Sequence, residues 1–184
     1  MKNSIRFFVC FSLLALLGLL ACGENSELEM KQAQLSMDQA KNLHADDLAP
    51  TDFQEAQRIW NEAQSAVKQG KPAQALFLRA KSHFDKTAQI AKSRRETLSR
   101  ELNDMQLTIS SGLDKMKTAL EKKQMAPKAQ GQVKTMATEI EQANEAIGNL
   151  VKQGDYVKAV ATAKDVQTKI YNAQLIMTGQ KPSK

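Results

Sequence analysis

Side chains able to do chemistry are few in this chain, and their spacing argues against a catalytic centre. His44 and His83 are its two histidines. They fall on different predicted helices, with no second ligand pair at helical spacing, so no metal site is expected. Asp46 and Asp47 form an acidic pair, but paired carboxylates do acid–base work only where burial or a partner separates their pKa values. Here they read as a solvated loop that stops the preceding helix. Ser110-Ser111-Gly112 is no nucleophile elbow, because no strand precedes it and no base accompanies it. The expectation is a non-enzyme, with no cofactor and no metal.

Of the two cysteines, Cys10 and Cys22, only Cys22 stands in an informative context. Lys2 and Arg6 supply a positive start, and Phe7 to Leu20 an apolar run of about fourteen residues, short of the roughly twenty that span a bilayer. Leu19-Leu20-Ala21-Cys22 then resembles a bacterial lipobox. That resemblance implies that residues 1–21 are a cleaved signal peptide and that Cys22 is acylated. A retained membrane helix and an ordinary cleaved signal are the other two readings. Gly23 follows, where the Gram-negative inner-membrane retention signal would usually have Asp. By that sorting rule the destination is the outer membrane, on its periplasmic side. Two or three acyl chains hold far better than one, since each buried CH₂ contributes about 0.8 kcal/mol.

The full chain carries 26 Lys+Arg against 20 Asp+Glu. Without Lys2 and Arg6 this becomes 24 against 20, a mild +4. The aromatic-interleaved basic strips of single-strand binders are missing, and the envelope address also argues against nucleic acid. Two basic clusters stand out: Lys92, Arg94, Arg95 and Arg100, then Lys115, Lys117, Lys122, Lys123 and Lys128. They are either a solvated helix face or a partner-binding strip for anionic lipid, lipopolysaccharide or acidic protein surfaces.

The elements that must carry these residues are all helical. Ala, Gln, Lys, Glu, Leu and Met dominate, proline and glycine are sparse, and nothing alternates with period two. A first helix is expected over about Glu24 to His44, with Leu28, Ala33, Met37, Ala40 and Leu43 as its apolar stripe. Thr51 reads as the N-cap of a second, with Gln54 completing a capping box. Phe53, Ala56, Trp60, Ala63 and Val67 give it a 3-4-3-4 stripe. Gly70 should end it and Pro72 open a third helix. That third helix could run to about Gln124, through Phe77, Ala80, Phe84, Ala88 and Ala91, then Leu98, Leu102, Met105, Ile109 and Met116. Its weak point is Ser110-Ser111-Gly112, where a hinge is expected if there is one. If the helix is continuous, Gly112→Ala should firm it by up to about 1 kcal/mol. Val133, Met136, Ile140, Ala143, Ile147 and Leu150 mark a fourth helix, and Tyr156 to Met177 a fifth.

The pattern repeats. Ala49-Pro50 recurs as Ala126-Pro127, 77 positions on, and Lys68-Gln69-Gly70 as Lys152-Gln153-Gly154, 84 positions on. The seven-residue difference is one heptad, an insertion that keeps a buried face in register. The expected architecture is therefore an elongated all-α protein of five helices. Two helical hairpin units are joined by the long middle helix with coiled-coil-like packing, giving two three-helix units, 22–99 and 100–178, that share that helix, and residues 179–184 form a flexible tail.

Ala49-Pro50, Ala56, Ala63, Ala66, Gly70, Ala75 and Ala80 resemble the pattern of a bacterial envelope domain family of unknown function, typically found in lipoproteins. Ala126-Pro127, Ala143, Gly154-Asp155-Tyr156, Ala159 and Ala163 repeat that pattern. The resemblance implies a helical fold and an envelope compartment, and no activity. The function expected is a lipid-anchored helical scaffold or adaptor. Its partners would be the bilayer, through acylated Cys22, and an envelope protein or peptidoglycan, with self-association left open. The alternative is a module that binds an envelope lipid, lipopolysaccharide or a glycan strand.

Overall fold

In the computed structural model, residues 24–122 and 125–180 are described. Leu19 to Cys22, Lys123 and the last four residues lie outside that range. Among the described residues the chain is all-α, with no strand. Its helices are α1 (Glu24–Asn42), α2 (Ala45–Leu48), α3 (Pro50–Lys68), α4 (Gln74–Glu121), α5 (Pro127–Lys152) and α6 (Tyr156–Met177). Among the described residues there are six helices where five were expected, because Ala45–Leu48 winds into one turn with Ala45 and Leu48 buried. His44 joins this turn to α1 in the left-handed region, at φ 54° and ψ 41°. No described helix is long and apolar enough to cross a membrane.

Two compact units divide the chain between Lys92 and Ser93, within α4. In the first, Phe53 packs edge-on against Phe84 at 5.8 Å, and Trp60 against Phe77 at 5.3 Å. Two turns forward on α3 match two turns back on α4, so these helices run antiparallel. Gln74 Nε2 donates to Glu29 Oε1 at 3.1 Å, and further along Ser36 faces Asp85. Both positions advance together, so α1 runs parallel to α4. Ala33, Ala40, Ala56, Ala63 and Ala80 are fully buried between the helices, where a methyl side chain permits close approach.

The core of this unit is wider than the sequence stripe. Ile59, beside Trp60, is fully buried because α3 packs against two neighbours and must cover a broader face. Thr87 is buried where Ala88 was expected, its hydroxyl donating to the His83 carbonyl at 2.7 Å. Leu28 and Val67, by contrast, end outside the core, at 57% and 46% exposure.

The second unit buries Leu102, Met105, Ile109 and Met116 of α4 against α5 and α6. Glu101 Oε1 meets Lys164 Nζ at 2.9 Å and Gly112 meets Ile170, so α4 and α6 run parallel. α4 passes through Ser110-Ser111-Gly112 as unbroken helix, and no hinge forms there. The glycine admits a neighbour: a Cβ at Gly112 would stand 2.6 Å from Ile170 Cγ2.

Helix ends follow the local signals, with two corrections. Gly70 and Gly154 take positive φ, 66° and 82°. Each closes the same turn: Lys71 N–H donates to the Ala66 carbonyl and Asp155 N–H to the Leu150 carbonyl, both at 2.9 Å. This six-to-one bond satisfies carbonyls that a helix C-terminus leaves open. Ala49, not Thr51, is the cap of α3, and Ala126 occupies the same place on α5. Proline at the next position has no N–H to leave unpaired, which is why the expected capping box is unnecessary. Pro72 lies before α4, which begins at Gln74. α6 has a side-chain cap, Asp155, accepting from the Lys158 N–H at 3.2 Å.

Candidate functional site

The chemistry-bearing residues remain dispersed. His44 lies at the α1–α2 junction, and half-buried His83 lies on α4 within the first unit. Asp46 and Asp47 are exposed on α2, and Ser110 and Ser111 on α4. Among the described residues no three His, Cys, Asp or Glu side chains converge to hold a metal ion.

Ionisable groups perturbed from their usual range sit in ion pairs, some between helices and some within one helix. Hydrogen bonding to Glu141 on α5, then that residue's charge, holds the Lys117 ammonium above its usual range, with Nζ 2.8 Å from Oε1. Glu55 is held below the usual carboxylate range by hydrogen bonding to Arg58, one turn away on α3. Neither arrangement leaves a proton poised for transfer.

The basic strip divides into different environments. Arg95 and Arg100 line one shallow surface cleft of about 650 Å³ with Glu96, Ser99 and Tyr156. Tyr156 is the first residue of α6, so this cleft joins two helices of the second unit. Arg100 Nε reaches the Glu96 carbonyl at 3.4 Å, and neither guanidinium pairs with a described carboxylate. Lys115 and Lys122 line a second cleft of about 590 Å³, with Asp114 and Met177. Lys128 lines a third, of about 540 Å³, beside Met136 and Ile176. Lys117 is engaged by Glu141, while Lys92 and Arg94 are exposed on α4. The strip is thus a set of separate cationic positions, of which Arg95 and Arg100 converge.

Another feature escaped the sequence pattern. Met30, Leu35 and Trp60 line an apolar groove of about 560 Å³ in the first unit, edged by Lys31, Gln34 and Gln64. Leu35 is 63% exposed. The available signal was the heptad spacing of Leu28 and Leu35, which puts both on one face of α1, opposite the buried Ala33, Met37 and Ala40.

Compared with protein-family models, curated proteins and solved structures, the chain matches none. The functional reading therefore rests on its own residues.

Proposed function

We propose that the chain is an outer-membrane-anchored periplasmic lipoprotein that acts as a non-catalytic helical scaffold or adaptor in the cell envelope. The observation that carries this reading is the Leu19-Leu20-Ala21-Cys22 motif standing directly ahead of an all-helical chain. Acylated Cys22 tethers the protein, the apolar stripes pack within two helical hairpin units that share α4, and exposed helix faces dock an envelope partner. Shallow clefts suit such docking better than turnover, because they give a substrate little shelter from water.

The anchor is tested by Cys22→Ser, which should release the protein from membranes. Unchanged retention would defeat the lipoprotein reading. The scaffold is tested by in-cell cross-linking of the acylated protein, with capture before and after a high-salt wash. A defined protein partner that survives salt supports it.

A second reading, a binding module for an anionic envelope molecule, is favoured by the convergence of Arg95 and Arg100 beside Tyr156. Recovery of salt-labile lipid or glycan with no protein partner would support this alternative, since ionic contacts at exposed sites weaken with screening.

A further inference from the structure

The apolar side chains that the first unit leaves uncovered gather toward one end. α1 begins two residues after Cys22, and Leu28 and Leu35 on its outer face are 57% and 63% exposed. Because α3 runs opposite to α1, Val67 near its C-terminus lies at the Leu28 end, and it is 46% exposed. Further along α1, Leu35 and Met30 border the groove over Trp60. From Leu28 to Leu35 the face extends about 10 Å at 1.5 Å per residue, comparable to the depth at which an interfacial helix buries its apolar side.

Charge at this end points to the occupant. The last residue of α3, Lys68, and Lys71 in the turn after it are both exposed, and neither meets a described carboxylate. Lys71 Nζ bonds only the Gln69 amide oxygen, at 2.7 Å. Of the nearby acids, Glu27 is already paired with Lys31 at 2.7 Å, and Glu29 accepts from Gln74. Apolar side chains beside lysines that meet no described carboxylate match the boundary between acyl chains and phosphate headgroups, with the lysine stems lying along the apolar surface.

We propose that this end of the first unit rests on the bilayer in which Cys22 is anchored. Leu28, Leu35 and Val67 enter the acyl boundary, Trp60 lies beneath them, and Lys68 and Lys71 meet phosphate headgroups. The proposal rests on acylation of Cys22, and the two ideas fail separately. Trp60 is the sole tryptophan of the chain, so its fluorescence reports this face alone.

The test uses the acylated protein on phosphatidylcholine vesicles containing phosphatidylglycerol, with bromine on the acyl chains to quench a nearby indole. The protein should float with the vesicles and Trp60 should be quenched. Leu28→Ser with Leu35→Ser, both at exposed positions, should still float and keep its helical circular dichroism, yet lose most of the quenching. Lys68→Gln with Lys71→Gln should remove the dependence of quenching on anionic lipid. Flotation with Trp60 unquenched would overturn the docking and leave the anchor intact. Failure to float would overturn both. Self-association of the Cys22→Ser protein that shields Trp60 from iodide without vesicles would assign the face to a second copy and overturn bilayer docking.

Discussion

Gly112 on α4 and Ile170 on α6 are in contact so close that a Cβ on the glycine would lie 2.6 Å from Ile170 Cγ2 and 3.0 Å from Cδ1. Ile170 is 3% exposed and β-branched at its point of contact, so it has little freedom to withdraw. This pair reverses the sequence-based expectation for Gly112→Ala. Helix propensity favours alanine by up to about 1 kcal/mol, but overpacking costs about 1–3 kcal/mol, and the second term wins. Gly112→Ala should lower stability by roughly 1–2 kcal/mol in urea unfolding. In the background of Ile170→Ala the same substitution should lose most of its penalty, giving a clear coupling energy. Equal penalties in both backgrounds would locate the strain elsewhere.

The first unit should depend on its two aromatic pairs. Phe84 is fully buried against Phe53, and Phe84→Ala should cost about 3–5 kcal/mol through lost burial and the cavity left behind. A double-mutant cycle across Phe53 and Phe84 should return about 0.5–1.5 kcal/mol for the edge-on contact itself. A coupling near zero would mean that the rings contribute only buried area.

His44 should be improvable. A non-glycine residue at φ 54° carries a left-handed penalty of about 1–2 kcal/mol, and glycine recovers it less its own entropy cost of about 0.5–1 kcal/mol. His44→Gly should therefore raise the thermal midpoint slightly. A fall would show that the imidazole itself holds the α1–α2 junction together.

Asp85 should give the first unit an acid-sensitive contribution. Burial alone would raise its carboxyl, but hydrogen bonding from Lys81 and Ser36, with the charge of Lys81, outweighs burial and holds it below 3.8. Lys81 Nζ stands 2.7 Å from Asp85 Oδ2. A carboxylate depressed in the folded state contributes stability above its unfolded pKa and loses it as pH falls through the folded value. The urea midpoint gap between wild type and Asp85→Asn should thus be steady at neutral pH and close below 3.8. A gap unaffected by acid would assign the role of Asp85 to packing.

Much of the fold was legible because its signals are local. Gly70 and Gly154 end helices through their own backbone freedom, and the two Ala-Pro pairs open helices through proline's fixed φ and missing N–H. The 3-4 spacing of Phe53, Ala56, Trp60 and Ala63 marked a face that is indeed buried. Where the reading failed, the deciding partner was remote in sequence. Ile59 and Thr87 joined the core because a helix among two neighbours buries a face set by both of them. Val67, by contrast, shares the buried face of Phe53 and Trp60 but lies in the last turn of α3, and Leu28 lies on the opposite side of α1 from Ala33.

The same division holds for the candidate sites. The sequence by itself determined the helical state of the chain, most of its punctuation and the cluster of basic residues. Only tertiary structure decided that Arg95 and Arg100 converge beside Tyr156, that Met30 and Leu35 border Trp60, and that Gly112 serves contact with Ile170 rather than bending. Backbone preferences act within a few residues and can be read in order along the chain. Burial and close approach depend on which helix arrives alongside, and that is fixed only when the units have packed.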